Sequence, residues 1–148
     1  MTARPHKIRV VASVVAVVLV VVFTAVALLL RETPTGVFFH RSDQVAMAGI
    51  GVVLAFAALW LTRPRVSADD KGIEVRNLLG TSHFDWDVVE AISFPDGASW
   101  ARLELPDDEY VPIMALQSID GIYAVKGIKE LRAMLKRFHE AKEHSENG

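Results

Sequence analysis

Five histidines, a dense set of acids between Val66 and Asp120, and a basic stretch near the carboxyl end are the residues of this chain with chemistry to offer. The histidines, His6, His40, His83, His139 and His144, show no metal-ligand spacing. His139 and His144 are five apart and point to different sides of a helix, unlike the i, i+4 pair that holds zinc. Glu140 and His144 are four apart and suit an exposed helix pair. Asp107-Asp108-Glu109 lacks the remaining ligands of a calcium loop and reads as a solvated turn. With no cysteine in 148 residues, thiolate catalysis, disulfides and Cys-based zinc sites are excluded. There is no nucleophile elbow, and Gly49-Ile50-Gly51 lies inside an apolar run rather than after a strand, so it is not a nucleotide loop. No catalytic residue, cofactor or metal ligand is assigned, and a non-enzymatic protein is expected.

Charge points to surfaces instead. Lys126, Lys129, Arg132, Lys136, Arg137 and Lys142 form a basic series. Within it Lys129, Lys136 and Arg137, together with Arg63 and Arg65, are candidates for contact with anionic headgroups, at about 1 kcal/mol per well-placed cation. Glu130, Glu140 and Glu143 are interspersed, and a solvated helix face is the favoured reading of the series. Trp60 suits an interfacial anchor. Trp86 is expected in a core, and Trp100 is a candidate interaction surface, although packing is favoured there too. From Val66 to Asp120 three basic residues face twelve acids. That sign opposes phosphoinositide binding and nucleic-acid binding.

Two apolar runs must position these residues. Val10 to Leu30 is 21 residues without a charge, and Val45 to Leu61 is 17. At about 1.5 Å of rise per residue against a hydrocarbon slab of about 30 Å, the first spans comfortably and the second just reaches. The expected organisation is an amino-terminal tail over 1–9, a transmembrane hairpin over 10–61 with spans 10–30 and 45–61, and one domain over 62–148. Arg4, Lys7 and Arg9 precede the first span, and Arg63, Arg65, Lys71 and Arg76 follow the second. The positive-inside bias therefore places both termini in the cytoplasm of a multi-pass cell-membrane protein. Ala25-Val26-Ala27 also has the form a signal peptidase accepts, and cleavage there would leave the second span as the anchor. Ala12 and Ala16, and Gly51 and Ala55, are small residues four apart that can let two helices approach closely, although such residues are common in spans. No ionisable residue lies in either span, which argues against a transporter.

Beyond Arg65 the period changes to two, as in Ile73 and Val75 or Leu103 and Leu105. Six antiparallel strands are expected, near 65–69, 72–78, 81–86, 88–94, 99–105 and 109–114, joined as a meander. After Asp120 an amphipathic helix carries Ile122, Val125, Ile128, Leu131, Leu135 and Phe138, with Asp120 or Ser118 as its cap. Residues 144–148 are expected to fray.

Two spans followed by Arg65-Val66-Ser67-Ala68-Asp69-Asp70-Lys71-Gly72-Ile73-Glu74-Val75-Arg76-Asn77 and Trp86-Asp87-Val88-Val89-Glu90-Ala91-Ile92 resemble the bacterial pleckstrin-homology-like (PH-like) membrane proteins of actinobacteria. The resemblance implies an α+β PH-like domain, a partly open antiparallel barrel of seven strands closed by a carboxyl-terminal helix. With six strands counted, the seventh is either hidden in Ala115 to Ile119 or missing. The family carries over no site residues. The expected function is a membrane-anchored interaction module that binds an unidentified protein or its own copies, by an open sheet edge or the groove beside the final helix. The alternative is a sensor of anionic lipid surface through the basic helix.

Overall fold

The structure is a computed structural model that describes residues 1–29 and 40–146. Most of the expected loop between the spans, with Arg31 and the expected first-span end at Leu30, lies outside the described residues, as do residues 147–148; His144 to Glu146, expected to fray, continue the last helix. The chain forms two compact units. One is Ile8–Thr62, and the other joins Met1–Lys7 to Arg63–Gly148.

The first unit is built on α1 (His6–Leu29) and α2 (Arg41–Trp60), both long and apolar enough to cross a membrane. The runs of valine in α1 would favour strands in water. In apolar surroundings the backbone must satisfy its own hydrogen bonds, and a single segment does so only as a helix. Nearly all the valines are exposed, while Ala12, Ala16 and Ala27 of α1 and Gly51 and Ala55 of α2 are buried. A Cβ added at Gly51 would stand 2.6 Å from Cβ of Phe23. The small residues are therefore where this hairpin packs. The side-chain amide of Gln44 also donates to the Ala27 carbonyl at 3.0 Å.

The second unit contains β1 (Thr2–Ala3), β2 (Arg65–Ala68), β3 (Gly72–Arg76), β4 (Thr81–Asp85), β5 (Ala91–Ser93), β6 (Trp100–Glu104), β7 (Tyr110–Gln117) and α3 (Ile122–Glu146). The strands form two antiparallel sheets, β1-β2-β3-β4 and β5-β6-β7. This corrects the barrel expectation, because among the described residues no strand pairing closes one sheet onto the other. The break falls at Trp86–Val88, where a 3-10 turn replaces the expected start of a strand. Trp86 turns inward there and its indole N–H donates to the Asp69 carbonyl at 2.8 Å. The seventh strand is also not where it was sought. It is β1, contributed from before the hairpin, with Thr2 opposite Ser67 and Ala3 opposite Val66.

Ile73 and Val75 of β3, Leu103 of β6, Ile113 of β7 and Leu131 of α3 meet in one core with Trp86. The apolar stripe of α3 is narrower than expected. Ile128, Leu131 and Leu135 are buried, but Ile122 and Val125 are exposed, and Ala124 and Gly127 take the inner positions instead. A Cβ at Gly127 would come within 2.6 Å of Leu116 Cδ2, so the helix lies close to β7 at that point. A bulkier inner residue would push it away.

Candidate functional site

Trp100, the first residue of β6, is 36% exposed and pairs with Gln117 beside a register shift. Trp86, by contrast, is buried. Arg63 follows α2, and Arg65 opens β2 directly opposite Arg76. Lys129, Lys136 and Arg137 are all exposed on α3. The structure does not gather them into one patch with free charge. Lys136 pairs with Glu140 at 3.6 Å, and the Arg137 Nε–H donates to its own helix at the Ala133 carbonyl, 3.3 Å away.

Other members of the basic series turn toward the domain itself. Arg132 Nε–H donates to the Ile92 carbonyl at 2.7 Å, fastening α3 to β5. Lys142 meets Asp87 at 2.6 Å, and that hydrogen bond holds the Lys142 ammonium above its ordinary pKa. Arg102, one of the few cations on the sheets, lies over the Tyr110 ring at 4.3 Å.

Two open hollows adjoin at Arg132 along α3, the first against Phe94 just past β5 and the second against β5 itself, and together they are taken as one groove. Its apolar half, about 460 Å³, has Phe94, Ala124, Val125 and Ile128 together with Lys129 and Arg132. Beyond Arg132 a more polar half of about 610 Å³ continues past Ser93, Leu135 and His139 to Glu143. Because Arg132 occupies the Ile92 carbonyl, strand addition at β5 is obstructed. The β4 edge, Thr81–Asp85, closes the other sheet and is exposed except at Phe84. Among the described residues no group of three histidines, aspartates or glutamates is placed to hold a metal ion.

Sequence reasoning missed two polar ties. Asp120, expected as a cap of α3, is buried and accepts the N–H groups of His6 at 3.1 Å and Lys7 at 2.8 Å. Gly121, at φ +53°, turns the chain so that α3 begins after it. The Asn77 side chain donates to the Pro112 carbonyl at 2.8 Å and accepts from Met114 N–H at 3.3 Å, joining β3 to β7. No local pattern signals either tie, because the partners are far away in sequence.

Residues 63–133 match the bacterial PH domain. Uncharacterized proteins of Mycobacterium tuberculosis and Mycobacterium bovis are each 43% identical to the chain over 135 residues, covering 91% of it and 88% of the relative. The chain belongs to the bacterial PH-domain family. Coverage of 91% is reached only if the shared sequence includes most of the apolar hairpin as well as the PH domain. No solved structure shows a significant match. In this PH domain the loop between β2 and β3 is Asp69-Asp70-Lys71-Gly72, with the Asp69 carboxylate accepting Lys71 N–H at 2.9 Å and Gly72 N–H at 3.1 Å. An acceptor-rich loop of that kind offers little to a phosphorylated ligand.

Proposed function

We propose that this protein is a non-enzymatic module that the helical hairpin anchors in the cell membrane, and that its PH domain binds a protein segment in the groove between α3 and β5. The groove carries this reading. Its lining is apolar at Phe94, Val125 and Ile128 and cationic at Lys129 and Arg132. A fitting partner presents one or two apolar side chains flanked by carboxylates, the complement of that charge. A second copy of this chain is the competing occupant.

The hairpin is read as two spans with both flanking segments on the cytoplasmic side. Pairing of Thr2 and Ala3 with Ser67 and Val66 supports this, since strands of one sheet must lie on one face of the membrane. It also disfavours removal of the first helix by cleavage after Ala27, which would take β1 with it. The basic-helix lipid sensor has less support, because Lys136, Arg132 and Lys142 are engaged within the domain.

Val125→Glu in the full chain tests the groove. It adds a carboxylate at an exposed position, so folding should be unchanged. Capture of an acidic partner segment by photocrosslinking from position 129 should fall at least tenfold, the effect of losing about 1.4 kcal/mol. Capture undiminished by the substitution would overturn the reading, and capture of only the chain's own copies would replace the partner with self-association.

A further inference from the structure

Both connections between the PH domain and the hairpin leave from one end of the four-stranded sheet. β2 begins there at Arg65, and β1, antiparallel to it, ends there at Ala3. Arginines stand across that end. Arg65 is directly opposite Arg76, and Arg4 follows one position beyond the last β1–β2 pair. Like charges directly opposite on neighbouring strands repel. Here the Nε atoms of Arg65 and Arg76 are also hidden from solvent with no hydrogen-bond partner. Glu74 lies two residues from Arg76 on the same face, yet among the described residues it forms no ion pair with either arginine.

The β3–β4 hairpin turns at this same end. Asn77 N–H donates to the Gly80 carbonyl at 2.8 Å, and Leu79 at the tip is 99% exposed. Ile122, 84% exposed, follows by two residues the Asp120 that holds the His6 and Lys7 amides of the other connection. Cations with no counter-ion among the described residues, beside protruding apolar side chains, have the composition of an interfacial membrane contact.

We propose that this end of the PH domain binds the phosphate groups of anionic phospholipids, with Arg65 and Arg76 on the phosphate oxygens and Leu79 reaching past them toward the acyl chains. Two arginines at facing register positions can share one phosphate, whose charge would offset their mutual repulsion. The inference rests on reading the hairpin as membrane-spanning. Arg65 is four residues beyond Leu61, and that length of chain confines it to about 14 Å at most from the end of the span, within reach of the headgroup layer. The surface lies at the opposite end of β2 and β3 from the Asp69–Gly72 loop.

The absence of native cysteine allows a clean test in the full chain. Leu79→Cys, labelled with an environment-sensitive fluorophore, is placed in nanodiscs of phosphatidylcholine alone or mixed with phosphatidylglycerol. Blue-shifted emission, shielded from a water-borne quencher, is expected in the mixed discs and should be lost when Arg65→Gln and Arg76→Gln are added. The same label at Ser145→Cys should remain aqueous. Phosphatidylglycerol retained by the purified chain, read by native mass spectrometry, should fall about fivefold per arginine removed, the equivalent of about 1 kcal/mol per cation. The double variant should melt no lower than the parent, since a repelling pair has been removed. An aqueous label at position 79 in both kinds of disc, or unchanged lipid retention by the double variant, overturns the proposal. Displacement of the lipid by millimolar inorganic phosphate would reassign the site to a soluble anion and overturns it equally. Release of the chain from vesicles by alkaline carbonate would refute the spanning hairpin itself, whereas a retained chain with an aqueous label refutes only this site.

Discussion

Asp69 illustrates how a side chain with no catalytic partner still carries a charge-dependent role. Its carboxylate accepts two amide N–H groups across the β2–β3 turn, and these bonds, that of Lys71 foremost, hold its pKa below the ordinary carboxylate value. A pKa lower in the folded than in the unfolded chain means that the turn is stabilised above the unfolded value, and that this contribution disappears as pH falls through the folded one. Asp69→Ala should therefore lower the Tm of the detergent-solubilised chain by a few degrees at neutral pH. The difference from wild type should close below about pH 4. Asp69→Asn keeps an acceptor oxygen and should lose less, and what it does lose is the charge-dependent part, so its gap too should shrink as pH falls. A gap of equal size at pH 7 and pH 3 would show that the charge plays no part. The sequence marks this position as a turn by its Asp-Asp-Lys-Gly run. It does not reveal that the Asp69 carbonyl also receives the Trp86 indole, because that contact depends on where a later segment folds back.

Among the elements, the hairpins were the most legible. β2, β3 and β4 fall inside the spans that alternation predicts; β2 and β3 each bury one face and wet the other, while β4 is exposed except at Phe84. The β6–β7 hairpin shows the next level of detail. Asp107 and Asp108 both adopt left-handed backbone, at φ 61° and 58°, and Leu105 N–H donates to the Glu109 carbonyl at 2.9 Å. Two successive left-handed residues form the mirror-image turn that suits a twisted hairpin, for which Asn-Gly is preferred. Asp107→Asn with Asp108→Gly should accordingly raise stability by about 0.5 to 1 kcal/mol, measured by urea unfolding of the full chain in mild detergent. A loss of stability would show that the two carboxylates make contacts beyond the turn. The sequence was less informative about β7, which runs on to Gln117 past the expected end at 114. Its continuation through Ala115 and Leu116 is apolar on consecutive residues, so alternation gives no signal there. The division into two sheets was equally hidden, because sheet membership is decided by tertiary packing around Trp86 rather than by any strand's own pattern.

At the scale of the whole molecule, the amino-terminal segment changes from a tail into part of the domain. Only two residues of β1 pair, far too few for a periodic signal, and nothing in Thr2-Ala3 distinguishes them from an unstructured leader. Their partner strand explains why they fold. The outer edge of β2 would otherwise present unpaired backbone groups, and β1 covers it, with Ala68 N–H also donating to the Met1 carbonyl at 2.9 Å. Ala3 packs against the core made by residues beyond Arg65. Placing a carboxylate there by Ala3→Asp sets a half-buried charge against that core, and should destabilise the domain by about 1 to 2 kcal/mol even though the substitution precedes the entire hairpin. The effect is read by thermal melting and by protease cleavage within residues 63–146. Proteolysis should speed up throughout that segment, because a two-state domain loses its strands together. A tail independent of the domain would leave both measurements unchanged. That result would also remove the main physical reason for holding both flanks of the hairpin on one side of the membrane.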